Sequence, residues 1–507
     1  MVLLPSIYHA WWFPANAVFS LITGFVVSAF LVSIILCLPW RIARWGAFTI
    51  LFGISLFELA HLMVYDGDLS SAGYVRSLFM TTPYEAEGAL GRVIQQHIFF
   101  IAFLVISYIL LSVLIFVSSP TRRWPRWTLA VTTVLFLIHT CFTPSSLFAC
   151  PPLRIYAQMT EALRQRNERN RMVAQTPSFT YAAHRLLERN EKEIYLLILD
   201  ESLRYDHVSL TGEHYRLTMP RMGQLSNLVC FSNYYTTGVF TMYAVPLLLT
   251  RATPQTFSLS YREYGIQQAF AEVGFKTIWL TNEAQLVSDG VSDYVAKGAE
   301  IVRVKKDMDM SSALDSLCGT ADKLFLILHL WGNHQFYLNT DATTSLYYPD
   351  ITTTTDVHGE QMYNNAYDNA ILYTDSLLSA VTNVLRSQHC IAQWIFTSDH
   401  GEGPIGRNGG AHGYTQPTSG EFHVPLMIWY SDEYAAAFSE KIEHINRHKD
   451  SPLCADHMFW SLLDMAQVQI DSTIQQDGMS FFSEKLTPYT RTLLLPDGKG
   501  IELLDSH

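Results

Sequence analysis

Side chains of the types that bind metal ions occur at the ends of three predicted strands. Glu201 closes the run LILDESLRYDH, His329 and His334 lie in LHLWGNH, and Asp399 and His400 lie in FTSDHGEG. Carboxylate oxygens and imidazole nitrogens are suitable ligands for zinc or a similar divalent ion. A strand-end Asp or His often serves only as a cap or loop anchor, but three such strand ends together favour one metal site.

A hydroxyl group is the nucleophile that such a site suggests, because no thiol or Ser-His-Asp motif is evident. The candidate segment is NYYTTGVFTMYAVP, which contains Thr236, Thr237 and Thr241. A bound metal ion would lower the pKa of a hydroxyl and screen the charge of an incoming phosphate. The residues alone do not choose among the three threonines, each of which could equally be a strand or turn residue.

The elements that must position these residues follow an α/β pattern. Continuous apolar runs alternate with helical stretches such as YREYGIQQAFAEVG and NAYDNAILYTDSLLSAVTNVLRS. This alternation predicts an α/β domain around a mostly parallel sheet, whose site gathers at the carboxyl ends of the strands. The predicted strands are 195–200, 275–281, 300–304, 323–330, 392–398 and 424–430.

The charge distribution divides the chain of 507 residues into two portions. Charged residues make up 16%, well below the roughly 25% of soluble proteins. Residues 1–150 contain seven Arg, five acidic residues and no Lys, which leaves 27 basic and 41 acidic residues beyond them. This split predicts a membrane portion followed by an acidic, water-soluble portion. The net charge of −12 argues against nucleic acid as a partner.

The first portion is predicted to be a transmembrane domain with four spans. Each apolar stretch has about the 20 residues that a bilayer core requires. The loops after the first and third spans hold five Arg, which predicts that both are cytoplasmic and that the chain beyond residue 150 lies outside. A further span upstream of this chain stays an alternative. The spans are about 17–39, 46–65, 97–119 and 127–148.

Two polar residues fall within the second predicted span. Glu58 and His61 could face a polar cavity for lipid or substrate. The alternative, that both lie near the outer interface, is favoured because Asp66 follows closely.

Residues 151–192 are predicted to be connector helices, since TEALRQRNERNRMVAQ and AAHRLLERNEKE have a charged helical face. Residues 193–507 are predicted to form the catalytic domain.

The order of several motifs resembles that of the phosphoethanolamine transferases that modify lipopolysaccharide, members of the alkaline phosphatase/sulfatase superfamily. The matches cover most of the soluble portion in the family's order. They are Glu-x-x-Arg-x-Asp-His at 201–207, Thr241 ahead of Val245-Pro246, His-x-x-Gly-x-His at 329–334, Tyr-Asp-Asn-x-Ile-x-Tyr-Thr-Asp at 367–375, Ser-Asp-His-Gly-Glu at 398–402 with His412 downstream, and His-Val-Pro at 423–425.

The resemblance implies a fold and a role for each candidate residue. The fold would be an α-helical transmembrane domain followed by a sulfatase/alkaline phosphatase-like α/β domain. Thr241 would be the nucleophile. The ligands of a catalytic Zn²⁺ ion, with Mn²⁺ as the alternative, would be Glu201, Thr241, Asp399 and His400. The phosphoryl group or a second metal would be contacted by His334, His412 and Glu402, and the head-group pocket would be lined by Asn333 and Asn282.

The activity implied is transfer of phosphoethanolamine from phosphatidylethanolamine to lipopolysaccharide or another envelope glycan, with release of diacylglycerol. The enzyme would be a multi-pass monomer of the bacterial inner membrane, in contact with membrane lipids, with its catalytic domain in the periplasm. A glycerol-phosphate transferase of the lipoteichoic acid synthase type is disfavoured by the motif at 201–207. A non-catalytic membrane regulator is disfavoured because Glu201, Thr241, Asp399 and His400 are all present.

The cysteines distinguish this chain from many relatives that act on lipid A. No Cys flanks Thr241, and in this respect the chain resembles the branch acting on core heptose or other glycans. The family's usual five spans exceed the four counted here.

The stretch from Cys150 to Arg154 fits the pattern that sulfatases convert to formylglycine. It precedes the strand that carries the first metal-binding acid, Glu201, so it is rejected as the nucleophile. Disulfides are possible among the four cysteines of the outside portion, Cys230, Cys318, Cys390 and Cys454. The apolar neighbours of Cys230 and Cys390 favour buried free thiols at these two positions.

Overall fold

The fold is described from a computed structural model, in which the chain forms two compact units, Met1–Arg166 and Asn167–His507. The residues that the structure describes are 6–7, 17–64, 83–117, 124–142, isolated positions between 156 and 174, 179–211, 216–282, 295–334, 337–338, 341, 343–351, 360–403, 412–414, 416–496 and 498–503.

The first unit contains four long helices among its described residues. Helix α1 contacts α4, and α2 contacts α3. Each pair shares a hydrogen bond, between Thr23 Oγ1 and His139 Nε2 at 2.9 Å and between Thr49 Oγ1 and the Tyr108 hydroxyl at 2.9 Å. Side chains that bond to each other in this way reduce the cost of polar groups in an apolar unit. The helices are α1 (Ala17–Cys37), α2 (Arg41–Val64), α3 (Pro83–Val117, kinked at His97) and α4 (Trp124–Phe142).

Two of the four helices are long and apolar enough to cross a membrane, judged by length and composition. These segments are Arg41–Ala60 and His97–Val117, whereas the described parts of α1 and α4 form shorter apolar helices, Leu21–Cys37 and Arg126–Cys141. The helices overlap the four predicted spans, and the number that cross a membrane stays a prediction. Glu58 is fully buried in α2, and the side chain of His61 lies outside the described residues.

The second unit is built on a seven-stranded sheet with the order β3-β9-β8-β2-β7-β5-β6. Strands β6, β5, β7, β2 and β8 are parallel to one another, while β9 runs antiparallel to β8 and β3. The predicted mostly parallel sheet is therefore confirmed. The strands are β2 (Glu193–Asp200), β3 (Leu228–Phe231), β5 (Lys276–Asn282), β6 (Glu300–Val304), β7 (Lys323–His329), β8 (Ile391–Ser398) and β9 (Leu426–Tyr430).

Helices cover the sheet and short strands pair outside it. The helices are α5 (Thr241–Leu249), α6 (Gln267–Glu272), α7 (Asp309–Cys318), α8 (Glu360–Ser387), α9 (Ser419–Phe422), α10 (Asp432–Ala437), α11 (Ser439–His448) and α12 (Met458–Met465). The short strands are β1 (His184–Arg185), β4 (Tyr234–Tyr235), β10 (Leu453–Cys454), β11 (Val468–Gln469), β12 (Thr492–Leu494) and β13 (Gly500–Glu502).

The central strands are largely apolar because both faces of the sheet are covered. All eight residues of β2 and all eight of β8 are buried. Alternate side chains of β2 enter two separate cores, with Tyr195 and Leu197 in one and Ile194 and Leu196 in the other. Continuous apolar runs are typical of parallel strands that lie between two layers of helices.

The register of the central strands sets the position of the polar residues that follow them. Leu199 of β2 lies opposite both His329 of β7 and Thr397 of β8, and Asp200 lies opposite Ser398. The three strands therefore end at the same edge. The residues after them are brought together although they are distant along the chain.

Three features differ from the sequence analysis. The helix expected over AAHRLLERNEKE is wrong, because His184 and Arg185 pair with β11 instead and Arg185 forms an ion pair with Glu193. Strand β3 was not predicted, since its four residues are too short to show a pattern. The helix expected over residues 261–274 is confined to Gln267–Glu272.

The six cysteines among the described residues are free.

We expect the ion pair between Arg185 and Glu193 to stabilise the second unit. Both guanidinium nitrogens of Arg185 bind the carboxylate, at 2.9 and 3.0 Å, and both side chains are fully buried. Arg185→Ala would leave a buried charge unpaired, which costs roughly 3–5 kcal/mol. Urea unfolding of the purified chain in detergent measures this loss.

The matched control for that substitution is Lys323→Ala, which breaks the exposed ion pair with Glu188. A pair of this kind contributes at most about 1 kcal/mol, because water and salt screen it. Equal losses in the two variants would contradict the assignment. Replacing both buried partners by apolar residues, as in Arg185→Met with Glu193→Leu, should cost less than Arg185→Ala alone.

Candidate active site

Four of the predicted site residues meet at the carboxyl edge of the sheet. The Oγ1 atom of Thr241 lies 3.3 Å from both carboxylate oxygens of Glu201 and 3.4 Å from Nε2 of His400. The same Nε2 atom lies 3.1 Å from Glu201 Oε1 and 3.3 Å from Asp399 Oδ2. Three of the side chains are buried, whereas Thr241 is half-buried, so its hydroxyl is the group that a substrate can reach.

The local structure explains how these four residues converge. Glu201 directly follows β2, and Asp399 and His400 directly follow the neighbouring parallel strand β8. Thr241 is the first residue of α5, preceded by Phe240 in an extended conformation. The first turn of a helix directs its backbone N–H groups outwards, an arrangement that favours negative charge next to the hydroxyl.

The cluster contains more negative charge than its own imidazole can balance. Burial alone would raise the pKa of Glu201, but the adjacent His400 lowers it strongly. Burial and the charge of Glu201 raise the pKa of Asp399 to about 7. Burial alone would lower the pKa of His400, but Asp399 and Glu201 raise it to about 9. Two buried carboxylates that compete for one imidazole favour the binding of a further cation.

The donor atoms fit a divalent metal ion. Ligands about 2.0–2.1 Å from a tetrahedrally bound zinc ion lie about 3.3–3.4 Å from one another. Thr241 lies 3.3 Å from Glu201 and 3.4 Å from His400, and His400 lies 3.1 Å from Glu201 and 3.3 Å from Asp399. The buried Oδ2 atom of Asp399 accepts no hydrogen bond from any described residue. An oxygen in that state is suited to bind a cation.

His412 lies beside this cluster and is oriented by Glu402. The ring of His412 lies 4.1 Å from the ring of His400, measured between centroids. Its Nδ1 atom is 3.1 Å from Oε1 of the buried Glu402. A carboxylate that accepts the proton of Nδ1 leaves Nε2 available for a metal ion or a proton. Glu201, His400 and His412 can also offer one ligand atom each within 4.8 Å.

The histidines of the His-x-x-Gly-x-His motif lie next to Glu201. Burial raises the pKa of the Glu201 carboxyl and His400 lowers it most, and His334 and His329 lower it further. Burial lowers the pKa of His329 to about 4, which makes it neutral near pH 7. The ring of His334 stacks on Trp331 at 4.0 Å and is slightly exposed. His334 is therefore the histidine of this pair that a substrate could contact.

The two predicted head-group asparagines are buried and bound to protein groups. The backbone N–H of Asn333 donates to the carbonyl oxygen of Glu201 at 3.0 Å, and its Nδ2 donates to Tyr367. Asn282 donates from Nδ2 to Asp307 at 3.0 Å. Both contacts stabilise loops of the site. A contact with a substrate head group stays a prediction for these two residues.

Sequence reasoning missed Asp307, which holds the turn between His329 and His334. Its carboxylate accepts hydrogen bonds from the backbone N–H groups of Trp331 and Gly332, both at 3.0 Å. No motif includes Asp307, because it lies in a separate loop before α7. The glycine of the motif was a visible signal, since Gly332 has φ +52° and packs against Asp200 and Glu201.

The Tyr-Asp-Asn motif of helix α8 fixes the loop that carries Glu201. The hydroxyl of Tyr367 donates to the carbonyl oxygen of Ser202 at 2.6 Å and accepts from the N–H of Arg204 at 2.8 Å. Asp368 binds His207 at 2.8 Å and Arg216 at 2.9 Å. These contacts are structural, because none of these side chains joins the metal-ligand cluster.

Arg204 connects this loop to the loop that follows β8. Its guanidinium donates to Asp206 and to the carbonyl oxygen of Gly403 at 3.0 Å. A Cβ atom on Gly420 would lie 2.8 Å from the guanidinium carbon, so the side chain passes through a channel that only glycine leaves open. The Glu-x-x-Arg-x-Asp-His motif therefore combines one metal ligand with the contacts that hold its loop.

Comparison with known protein families supports this fold. The sulfatase family profile matches residues 193–468. The protein YhbX of Escherichia coli (strain K12) is 26% identical over 441 residues, which cover 80% of this chain and 76% of that protein. Kdo(2)-lipid A phosphoethanolamine 7''-transferase of the same strain is 25% identical over 318 residues, covering 59% of this chain and 54% of that enzyme.

Solved structures show the same fold over both units. The integral membrane protein lipooligosaccharide phosphoethanolamine transferase A (EptA) from Neisseria meningitidis aligns with a TM-score of 0.73 at 16% identity. The alignment covers 96% of this chain and 98% of that chain. The periplasmic domain of EptC from Escherichia coli, in complex with Zn, aligns with a TM-score of 0.54 at 20% identity, covering 63% and 94%. The expected helical domain followed by a sulfatase-like domain is confirmed.

We predict that Gly332→Ala disrupts the metal-ligand cluster. The added Cβ atom would overlap Oδ1 of Asp200 and lie 2.8 Å from the backbone nitrogen of Glu201. The positive φ of this residue adds strain for any side chain. The expected result is at least a tenfold weaker affinity for zinc, measured by competition with a chromogenic chelator.

The control is Gly319→Ala, where the nearest atom to an added Cβ is 3.8 Å away and the backbone is already helical. This variant should bind zinc as the unmodified chain does. Unchanged affinity in Gly332→Ala would show that the turn does not position Glu201.

Proposed function

This chain belongs to the sulfatase family, and we propose that it is a metal-dependent membrane enzyme that transfers phosphoethanolamine. The donor would be phosphatidylethanolamine, and the acceptor a lipopolysaccharide or another cell-envelope glycan. The observation that carries this proposal is the half-buried hydroxyl of Thr241 placed against Glu201 and His400, with Asp399 beside His400. Relatives that share the domain are named as phosphoethanolamine transferases.

Thr241 would be the nucleophile in the first half of the reaction. Its Oγ1 atom gives up a proton and forms a bond to phosphorus, while the bond from phosphorus to the diacylglycerol oxygen breaks. Diacylglycerol leaves after that oxygen takes a proton, and the phosphoethanolamine group remains on Thr241. Zinc, or Mn²⁺ as the alternative, held by Glu201, Thr241, Asp399 and His400 would lower the pKa of the hydroxyl and offset phosphate charge.

His412 and His334 would serve the second half of the reaction. A hydroxyl or phosphate oxygen of the acceptor attacks phosphorus and breaks its bond to Thr241, which regains a proton. The contact with Glu402 orients His412 so that Nε2 can accept the acceptor's proton. His334 is slightly exposed and could donate a hydrogen bond to a nonbridging oxygen.

The membrane setting is part of the proposal. A lipid donor is reached at a bilayer surface, and the first unit carries two helices of spanning length and two shorter apolar ones. We place the enzyme in the bacterial inner membrane as a multi-pass monomer, with the catalytic unit in the periplasm. The absence of Cys beside Thr241 favours an acceptor on core heptose or another glycan rather than lipid A.

Two other functions remain distinguishable by experiment. A glycerol-phosphate transferase would use phosphatidylglycerol, which the same hydroxyl could attack. A non-catalytic regulator would bind lipid without turnover. Release of labelled diacylglycerol from phosphatidylethanolamine, but not from phosphatidylglycerol, in detergent with added metal would support the proposed donor. Mass spectrometry of candidate glycans for added phosphoethanolamine would then identify the acceptor.

We predict that Thr241→Ala keeps the metal but loses activity. The three remaining ligands leave the charge of the site intact, whereas removal of the nucleophile should lower kcat by at least about 1,000-fold. Diacylglycerol release measures turnover, and inductively coupled plasma mass spectrometry measures bound metal.

The control is Thr473→Ala, which alters an exposed threonine far along the chain from the site. It should retain both activity and metal. Turnover at the unmodified rate in Thr241→Ala would refute Thr241 as the nucleophile. Loss of metal together with activity would show that the hydroxyl is needed mainly as a ligand.

A further inference from the structure

The segment that leads into Thr241 is fixed by groups outside the metal-ligand cluster. The hydroxyl of Thr236 donates to the carbonyl oxygen of Asp399 at 2.5 Å. The N–H of Leu494 in β12 donates to the carbonyl oxygen of Thr237 at 2.8 Å. A Cβ atom on Gly238 would lie 2.8 Å from the backbone nitrogen of Ala244, so the segment lies directly against the first turn of α5.

Thr237 forms a further contact, with the buried carboxylate of Asp456. Its hydroxyl donates to Oδ1 of Asp456 at 3.2 Å, and the hydroxyl of Tyr489 donates to Oδ2 at 2.5 Å. Asp456 is 5% exposed. Its two oxygens therefore connect the segment before the nucleophile to a part of the chain more than 200 residues away.

The pairing of two short strands explains this meeting. Strand β10 runs parallel to β4, with Leu453 opposite Tyr234 and Cys454 opposite Tyr235. Thr237 lies two residues beyond β4, and Asp456 lies two residues beyond β10. The short helical turn Ala455–His457 that contains Asp456 also packs against α5, so the register directs this carboxylate at the segment that ends in Thr241.

The surroundings of Asp456 make its two hydroxyl donors energetically important. Burial raises the pKa of Asp456 to about 7, although the hydrogen bonds from Tyr489 and Thr237 lower it. Burial also raises the pKa of the adjacent Cys454 thiol, and burial lowers the pKa of His457 to about 4. A buried carboxylate that loses one donor pays a desolvation penalty, so both donors are held in place.

We infer that Asp456 and Tyr489 are positioning residues for the nucleophile, acting through Thr237 on the segment 237–241. They would hold the hydroxyl of Thr241 in line with the phosphorus atom without touching substrate or metal. The inference rests on the proposed function only in taking Thr241 as the attacking group. Misplacing a reacting group by about 1 Å can cost on the order of 100-fold in rate.

Three variants test this inference in the full-length protein. Thr237→Val, Tyr489→Phe and Asp456→Ala should each lower kcat by roughly 10–100-fold while KM changes by less than about threefold. Bound metal should remain at the level of the unmodified chain. Thr237→Ser keeps the hydroxyl, so its kcat should lie within about threefold of the kcat of the unmodified chain. The Thr237→Val and Asp456→Ala double variant should lose no more than the more damaging single variant, because both break one network.

Asp464→Asn is the matched control, since this aspartate lies on the neighbouring helix α12 and forms a partly exposed ion pair with Lys441. It should leave kcat unchanged. Amide hydrogen exchange gives a readout that needs no substrate. We expect faster exchange in peptides covering residues 237–244 of Tyr489→Phe and unchanged exchange in β2 and β8.

Several results would overturn the inference. It would be contradicted if Thr237→Val and Tyr489→Phe had the kcat of the unmodified chain, or if bound metal fell in parallel with kcat. A loss of kcat in Thr237→Ser as large as that in Thr237→Val would also contradict it. Rates are measured on phosphatidylethanolamine and on bis(4-nitrophenyl) phosphate. An unmodified chain that cleaves only the synthetic diester would refute the proposed donor, while the ratios between variants would still test positioning.

Discussion

Buried negative charge that the protein's own cations do not balance is the constraint on which the catalytic unit depends. Glu201 and Asp399 are removed from water, and both lie within 3.3 Å of the same nitrogen, Nε2 of His400. Carboxylates in this state repel each other unless a cation lies between them. The fold therefore has to hold them rigidly enough that a metal ion, once bound, finds its ligands already in place.

The surrounding structure supplies that rigidity from several directions. The adjacent parallel strands β2 and β8 set three of the proposed ligand positions, and helix α8 fixes the loop after β2 through Tyr367 and Asp368. Arg204 then joins this loop to the one after β8. Motif residues that lie outside the metal site thus act as its scaffold, which explains why so few of the matching residues touch the reactive hydroxyl.

The sequence predicted six of the seven strands of the large sheet, because continuous apolar runs leave a strong local pattern. The residues that the family resemblance proposed as metal ligands lie together at the carboxyl edge of that sheet, and their role as ligands stays a prediction. The sequence did not predict β3, which is only four residues long, and it assigned a helix where Arg185 is drawn into an ion pair with Glu193. Asp307 and Asp456 were also missed. Each supports the site through partners far along the chain, and no local pattern reveals such a contact.

Residue types and spacing by themselves determined that this chain has an apolar first portion and an α/β second portion with metal-binding side chains at strand ends. These properties follow from local hydrophobicity and from ligand chemistry. Residue types and spacing did not separate the three threonines. The family resemblance pointed to Thr241, and the tertiary structure shows how the surroundings of the three differ. Thr236 binds the carbonyl oxygen of Asp399 and Thr237 binds Asp456, whereas Thr241 faces the carboxylate of Glu201 and the imidazole of His400. That difference arises from strand register and helix position, which depend on packing between distant segments.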